Sequence, residues 1–124
     1  MPARRKPSSS SLAPRHKVWL TFDGLFLMGP NYLRFLRAVD DTGTIREAGK
    51  AVGWSYRTCL NRVRRMEQVL GGPVLLTARG GSAHGGARLA PEVRRLVEGY
   101  GRWQEAVAAF SRRAFKRHMK GVFR

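Results

Sequence analysis

The spacing of apolar positions changes along this chain, and each change predicts a different element. Val18-Trp19-Leu20-Thr21-Phe22 and Leu25-Phe26-Leu27-Met28 flank Asp23-Gly24. Aromatic and β-branched runs on either side of such a dipeptide predict a β-hairpin. Gly29-Pro30 closes it, and Pro30 suits the first position of a helix. Leu33, Leu36 and Val39 then recur at helical spacing, with Arg34, Arg37 and Asp41 facing outward until Thr42-Gly43.

Thr44-Ile45-Arg46-Glu47 has the spacing of a capping box, in which hydroxyl and carboxylate satisfy each other's free backbone donors. A second, short helix follows, with Ile45, Ala48 and Val52 as its apolar contacts. Its small residues Ala48, Gly49 and Ala51 allow close approach to the next helix, and Gly53 makes the turn. Ser55 caps a third helix whose apolar face is Tyr56, Cys59, Leu60, Val63, Met66 and Leu70. Gly71-Gly72-Pro73 ends it. Val74-Leu75-Leu76-Thr77 predicts a short strand with Ala87-Arg88-Leu89 as its partner, joined by a glycine-rich loop from Ala78 to Gly86. Pro91 opens a long last helix in which Leu96, Tyr100, Trp103, Val107, Phe110 and Ala114 alternate spacings of four and three. That is a coiled-coil period, locally weakened by Gly99 and Gly101.

The expected fold class is therefore mainly α with small β elements. Small helix, glycine turn, basic helix, strand, loop and strand follow the order of a winged helix-turn-helix. An N-terminal β-hairpin precedes it and a long C-terminal dimerisation helix follows. The expected divisions are a disordered basic tail over residues 1–15 and a DNA-binding domain over 16–90. The dimerisation helix takes 91–120, and a basic tail 121–124.

Charge gives this architecture a partner. The 124 residues hold 24 Lys and Arg against 8 Asp and Glu, a net charge of +16. Such an excess implies a polyanion, either nucleic acid or an anionic membrane surface. No apolar run approaches a membrane span. Ser8 to Ser11 stand where a signal peptide would need apolar residues. The single cysteine excludes an internal disulfide framework and fits a cytoplasmic, nucleoid-associated protein. His16, His84 and His118 are far apart, none at ligand spacing with Cys59, and the acidic residues are scattered. No enzyme activity, metal or cofactor is expected. The loop from Gly80 to Gly86 lacks the Gly-Lys-Ser/Thr ending of a nucleotide-binding loop and leads into a strand, not a helix.

Three segments together carry a family resemblance. Thr42-Gly43-Thr44-Ile45-Arg46-Glu47-Ala48, then Gly53-Trp54-Ser55-Tyr56-Arg57, then Arg79-Gly80-Gly81-Ser82-Ala83-His84-Gly85-Gly86-Ala87-Arg88-Leu89 resemble the N-terminal domain of ModE-type molybdate-dependent regulators. The LysR-type winged helix is similar in architecture. The resemblance covers residues 18 to about 115. It implies that DNA binding carries over, whereas oxyanion sensing does not, because the sequence stops at Arg124 without the family's molybdate-binding domains. No molybdate site is expected in this chain.

On the third helix Arg57, Thr58 and Asn61 are the expected base readers, since arginine and asparagine pair bidentately with guanine and adenine edges. Ser55, Tyr56, Arg62 and Arg65, with Arg79, His84 and Arg88 of the wing, are the expected backbone contacts. Leu96, Tyr100, Trp103, Val107 and Phe110 are the expected dimer interface. The function that follows is a homodimeric, sequence-specific regulator of transcription bound to double-stranded DNA, with no membrane association. The alternative is a sequence-tolerant architectural DNA-binding protein. A third option is an interaction subunit that uses its aromatic last helix to recruit a partner.

Overall fold

Asp23 and Gly24 both take positive φ, 49° and 77°, as the two-residue turn that matches strand twist requires. In the computed structural model, which describes residues 6–8, 11–78 and 86–123, this turn joins β1 (Leu20–Phe22) to β2 (Leu25–Met28). The strands are antiparallel, pairing Phe22 with Leu25 and Thr21 with Phe26, with an irregularity between Leu20 and Thr21. Then come α1 (Pro30–Thr42), α2 (Ile45–Val52) and α3 (Tyr56–Leu70). A second antiparallel pair, β3 (Leu75–Thr77) with β4 (Ala87–Leu89), leads into α4 (Pro91–Met119). The first three helices all end on a left-handed glycine: Gly43, Gly53 and Gly71 have φ of 77°, 74° and 76°. Each donates its N–H back to the last turn, which satisfies carbonyls the helix leaves open.

Two bodies are distinguished, Lys17–Gly101 and the pair of segments Met1–His16 and Arg102–Arg124. The division falls inside α4, not at its start. In the first body α1 is the central element, packed against α2, β4 and β2. Phe35, Met28, Leu33, Leu36, Met66 and Val39 are fully buried there. The first turns of α4 contribute Val93, Val97 and Tyr100 to that core. The helix continues unbroken through Gly99 and Gly101. At Gly101 a Cβ would lie 2.0 Å from Nη2 of Arg37, so the guanidinium of Arg37 occupies the space that glycine leaves. The Arg94 guanidinium also reaches α1, forking onto Asp40 at 2.6 and 3.0 Å.

In the second body α4 exposes Trp103 and Phe110, 42 and 63 % exposed, and half-buries Val107. Of the expected disordered tail, residues 1–5 and 9–10 lie outside the described residues. The Ser11 N–H donates to the Ser8 carbonyl at 2.9 Å in a local turn.

Candidate nucleic-acid interface

The contact between α2 and α3 sets the geometry of the basic helix. A Cβ on Gly49 would lie 2.6 Å from Cys59 Sγ and 2.9 Å from the Trp54 carbonyl oxygen. Only glycine lets α2 come this close to α3 and to the turn between them. Trp54 N–H returns to the Gly49 carbonyl at 2.9 Å, pinning the turn to the same residue. Cys59, fully buried at this contact, has its thiol pKa pushed up by burial, with its own backbone hydrogen bond and the Arg62 charge pulling weakly the other way.

The caps sharpen the ends of both helices. Thr44 Oγ1 accepts from Glu47 N–H at 3.2 Å, as expected. The box is not reciprocal, however. Thr44 N–H donates to Thr42 Oγ1 at 3.4 Å, and the Glu47 carboxylate turns instead to Lys50 at 3.1 Å. Ser55 caps α3, its Oγ accepting from Thr58 N–H at 3.1 Å. The same hydroxyl lies 3.0 Å from Thr58 Oγ1.

Arg57, Asn61 and Arg65 are all exposed and stand one turn apart along α3, with Arg64 beside them. Among the described residues the ion pairs are Glu47–Lys50 and Asp40–Arg94, so this stripe keeps its charge. Glu67, the acid on the same helix, is turned to the chain's own backbone, accepting from Val74 N–H at 2.9 Å. Thr58 is half-buried, with its hydroxyl at the cap. Arg88 is exposed on β4, whereas Arg79 and His84 lie outside the described residues.

Three residues sit differently from the sequence expectation. Tyr56, assigned both to the apolar face and to backbone contact, is 40 % exposed and lies under the Arg46 guanidinium, 4.2 Å from its ring centroid. Arg62 is half-buried, its guanidinium 4.4 Å from the Trp54 ring and 5.4 Å from Tyr32. Trp54 in turn meets Tyr32 and Phe35 at 5.2 Å. One face of Arg62 is therefore committed to an aromatic cluster. Tyr100, expected at a dimer interface, is 2 % exposed, and its hydroxyl donates to the Val18 carbonyl. Its ring packs within its own chain because α4 enters the core on that side. Burial raises its phenol pKa. Of the other interface candidates Leu96 and Val107 are half-buried, and Trp103 and Phe110 are exposed. Arg46 had no place in the sequence expectation, because the capping motif drew attention to its neighbours.

Among the described residues no three His, Cys, Asp or Glu side chains gather as metal ligands. No described helix is long and apolar enough to cross a membrane.

No family model matches the chain. Over 81 residues it is 38% identical to the molybdenum-pterin-binding protein MopB of Rhodobacter capsulatus, covering 65% of this chain and 30% of that protein. Over 74 residues it is 32% identical to MopA of the same organism, also a molybdenum-pterin-binding protein, covering 60% of this chain and 28% of that one. The chain thus spans less than a third of either relative. The resemblance to molybdate-dependent regulators reduces here to a relationship with proteins that bind molybdenum-pterin, whose names give no DNA-binding role. These relatives lend no support to the expectation that the chain has no molybdate site.

Proposed function

We propose that the chain is a winged helix-turn-helix module that binds double-stranded DNA sequence-specifically, as a homodimeric transcriptional regulator in a molybdenum-related setting. One observation carries this reading: the exposed Arg57–Asn61–Arg65 stripe on a helix that Gly49 locks against α2. A helix held this way offers its N-terminal turns to a major groove as a rigid body. Arg57 and Asn61 then face base edges, and Arg65 and Arg88 face phosphates. The exposed Trp103 and Phe110 support pairing of α4 with a second copy. A two-fold dimer calls for a roughly palindromic site with half-sites about one or two helical turns apart.

Selection of bound sites from a randomised duplex library tests the proposal. One enriched site, bound more tightly than its scrambled version at moderate salt, is the expected result. Arg57→Ala or Asn61→Ala should cost about 1–3 kcal/mol on that site while sparing scrambled DNA. Equal binding of selected and scrambled DNA would refute sequence reading and leave the architectural alternative, whose affinity should collapse with rising salt.

A second reading rests on the relatives' names: the chain itself binds molybdate or a molybdenum-pterin. Equilibrium dialysis against molybdate, with sulfate as the competing oxyanion, separates the two readings. Saturable binding that sulfate does not displace would support it, and no retention would remove molybdate from this chain.

A further inference from the structure

Two arginines of this region lie over aromatic rings, and their surroundings differ. Arg62 rests on Trp54 and is half-buried among the rings of the first body. Arg46, in the first turn of α2, rests on Tyr56, the first residue of α3, with both side chains in solvent. Tyr56 contributes nothing to the core, so core packing does not explain its ring. What the ring does is hold a cation at the junction of the two helices, immediately before Arg57. The acid next to Arg46 does not neutralise it, because the Glu47 carboxylate is paired with Lys50 at 3.1 Å.

A guanidinium with one face on a ring keeps its N–H fork free at the edge, and a planar fork matches a phosphate bidentately. Holding the side chain in place beforehand reduces the ordering cost of that contact. Because Arg46 belongs to α2, it would grip the strand beside the groove that α3 enters.

We infer that Arg46, held on the face of Tyr56, is a further contact to a nucleic-acid backbone phosphate, made from α2 and not from the reading helix. The inference rests on the DNA-binding proposal above. Tyr56 is then a positioning residue, acting through Arg46.

The test is fluorescence anisotropy of the full chain with a selected duplex and with a randomised duplex pool, across a salt series. Arg46→Ala should weaken both DNAs by the same factor. It should reduce the slope of log affinity against log salt by about 0.9, so its deficit shrinks roughly threefold between about 50 and 200 mM salt. Arg46→Lys should restore most of that slope. Tyr56→Leu should show part of the Arg46→Ala loss, Tyr56→Phe should recover the part that depends on the ring, and the Arg46→Ala/Tyr56→Leu double variant should lose no more than Arg46→Ala alone. Thermal melts of each variant establish that it is folded at the assay temperature. Wild-type affinity and slope in Arg46→Ala, beside a specific loss in Arg57→Ala, would overturn this inference alone. So would a loss with an unchanged salt slope. Failure of the wild-type chain to bind either DNA would overturn the DNA-binding proposal and this contact with it.

Discussion

Replacing Gly49 by alanine sets two effects of known sign against each other. In an ordinary helix interior the change stabilises by about 0.8–1.0 kcal/mol, because glycine loses more backbone freedom on folding. Here the new methyl would stand 2.6 Å from Cys59 Sγ and 2.9 Å from the Trp54 carbonyl oxygen. Ordinary contacts between heavy atoms fall near 3.5–4.0 Å, so something must yield by about 1 Å. Neither neighbour yields easily. Cys59 is wholly buried, and the Trp54 carbonyl belongs to a turn fixed by the 2.9 Å bond from Trp54 N–H to Gly49. Overpacking of this kind costs about 1–3 kcal/mol, and two constrained neighbours place it in the upper half. The net expectation is a loss of about 1–2 kcal/mol, or a fall in Tm of about 5–12 °C for a body of this size. Thermal melts followed by far-UV circular dichroism on wild type, Gly49→Ala, Cys59→Ala and the double variant measure it. Removing Sγ relieves one clash and leaves the carbonyl, so the double variant should be more stable than additivity predicts by at least about 0.5 kcal/mol. A Gly49→Ala chain as stable as wild type, or strict additivity in the double variant, would refute the close-approach argument.

The half-formed capping box predicts that Thr44→Ala costs about 1 kcal/mol while Glu47→Ala costs clearly less, both read from chemical denaturation midpoints. The raised pKa values of Cys59 and Tyr100 make the fold sensitive to alkali. Both groups deprotonate first in the unfolded chain, so stability is full below their ordinary values of 9.0 and 10.0 and falls as pH rises through the native ones. Tm measured from about pH 7 to 11 should decline from near pH 9, less so in Cys59→Ala and Tyr100→Phe; a flat wild-type profile would contradict the burial argument. The Asp40–Arg94 fork is partly exposed, at 28 and 46 % for the two side chains. Asp40→Asn should therefore cost under about 1 kcal/mol, with a smaller difference in high salt.

Helix ends were legible because glycine and proline write them locally: Pro30, Gly43, Gly53, Gly71 and Pro91 each stand where an element starts or stops. The hairpin was legible for the same reason, through Asp23-Gly24. The core was only partly so. Leu33, Leu36 and Val39 announce a single stripe, yet Phe35 and Ala38 are buried beside them. An element covered by α2, β4 and β2 together buries more than one face, and periodicity cannot show how many neighbours a helix will have. The candidate site was legible as a list of cations and illegible as a set of environments. Arg57, Asn61 and Arg65 are exposed, Arg62 lies against Trp54, and Arg46 lies over Tyr56. Those differences depend on where a turn places two rings. The Asp40–Arg94 pair spans 54 positions, beyond any local rule.

The stem of the β3–β4 ribbon is fastened at an unexpected place. Ala78 N–H bonds the Gly86 carbonyl at 2.8 Å, and Ala87 N–H bonds the carbonyl of Gly43, the residue that ends α1, at 2.7 Å. By this bond the ribbon is hitched to the joint between the first two helices, while Val74 at its base is tied to Glu67 of the basic helix. A load on the ribbon stem is therefore shared between that joint and α3, which the close approach at Gly49 holds to α2, so the two helices shift together.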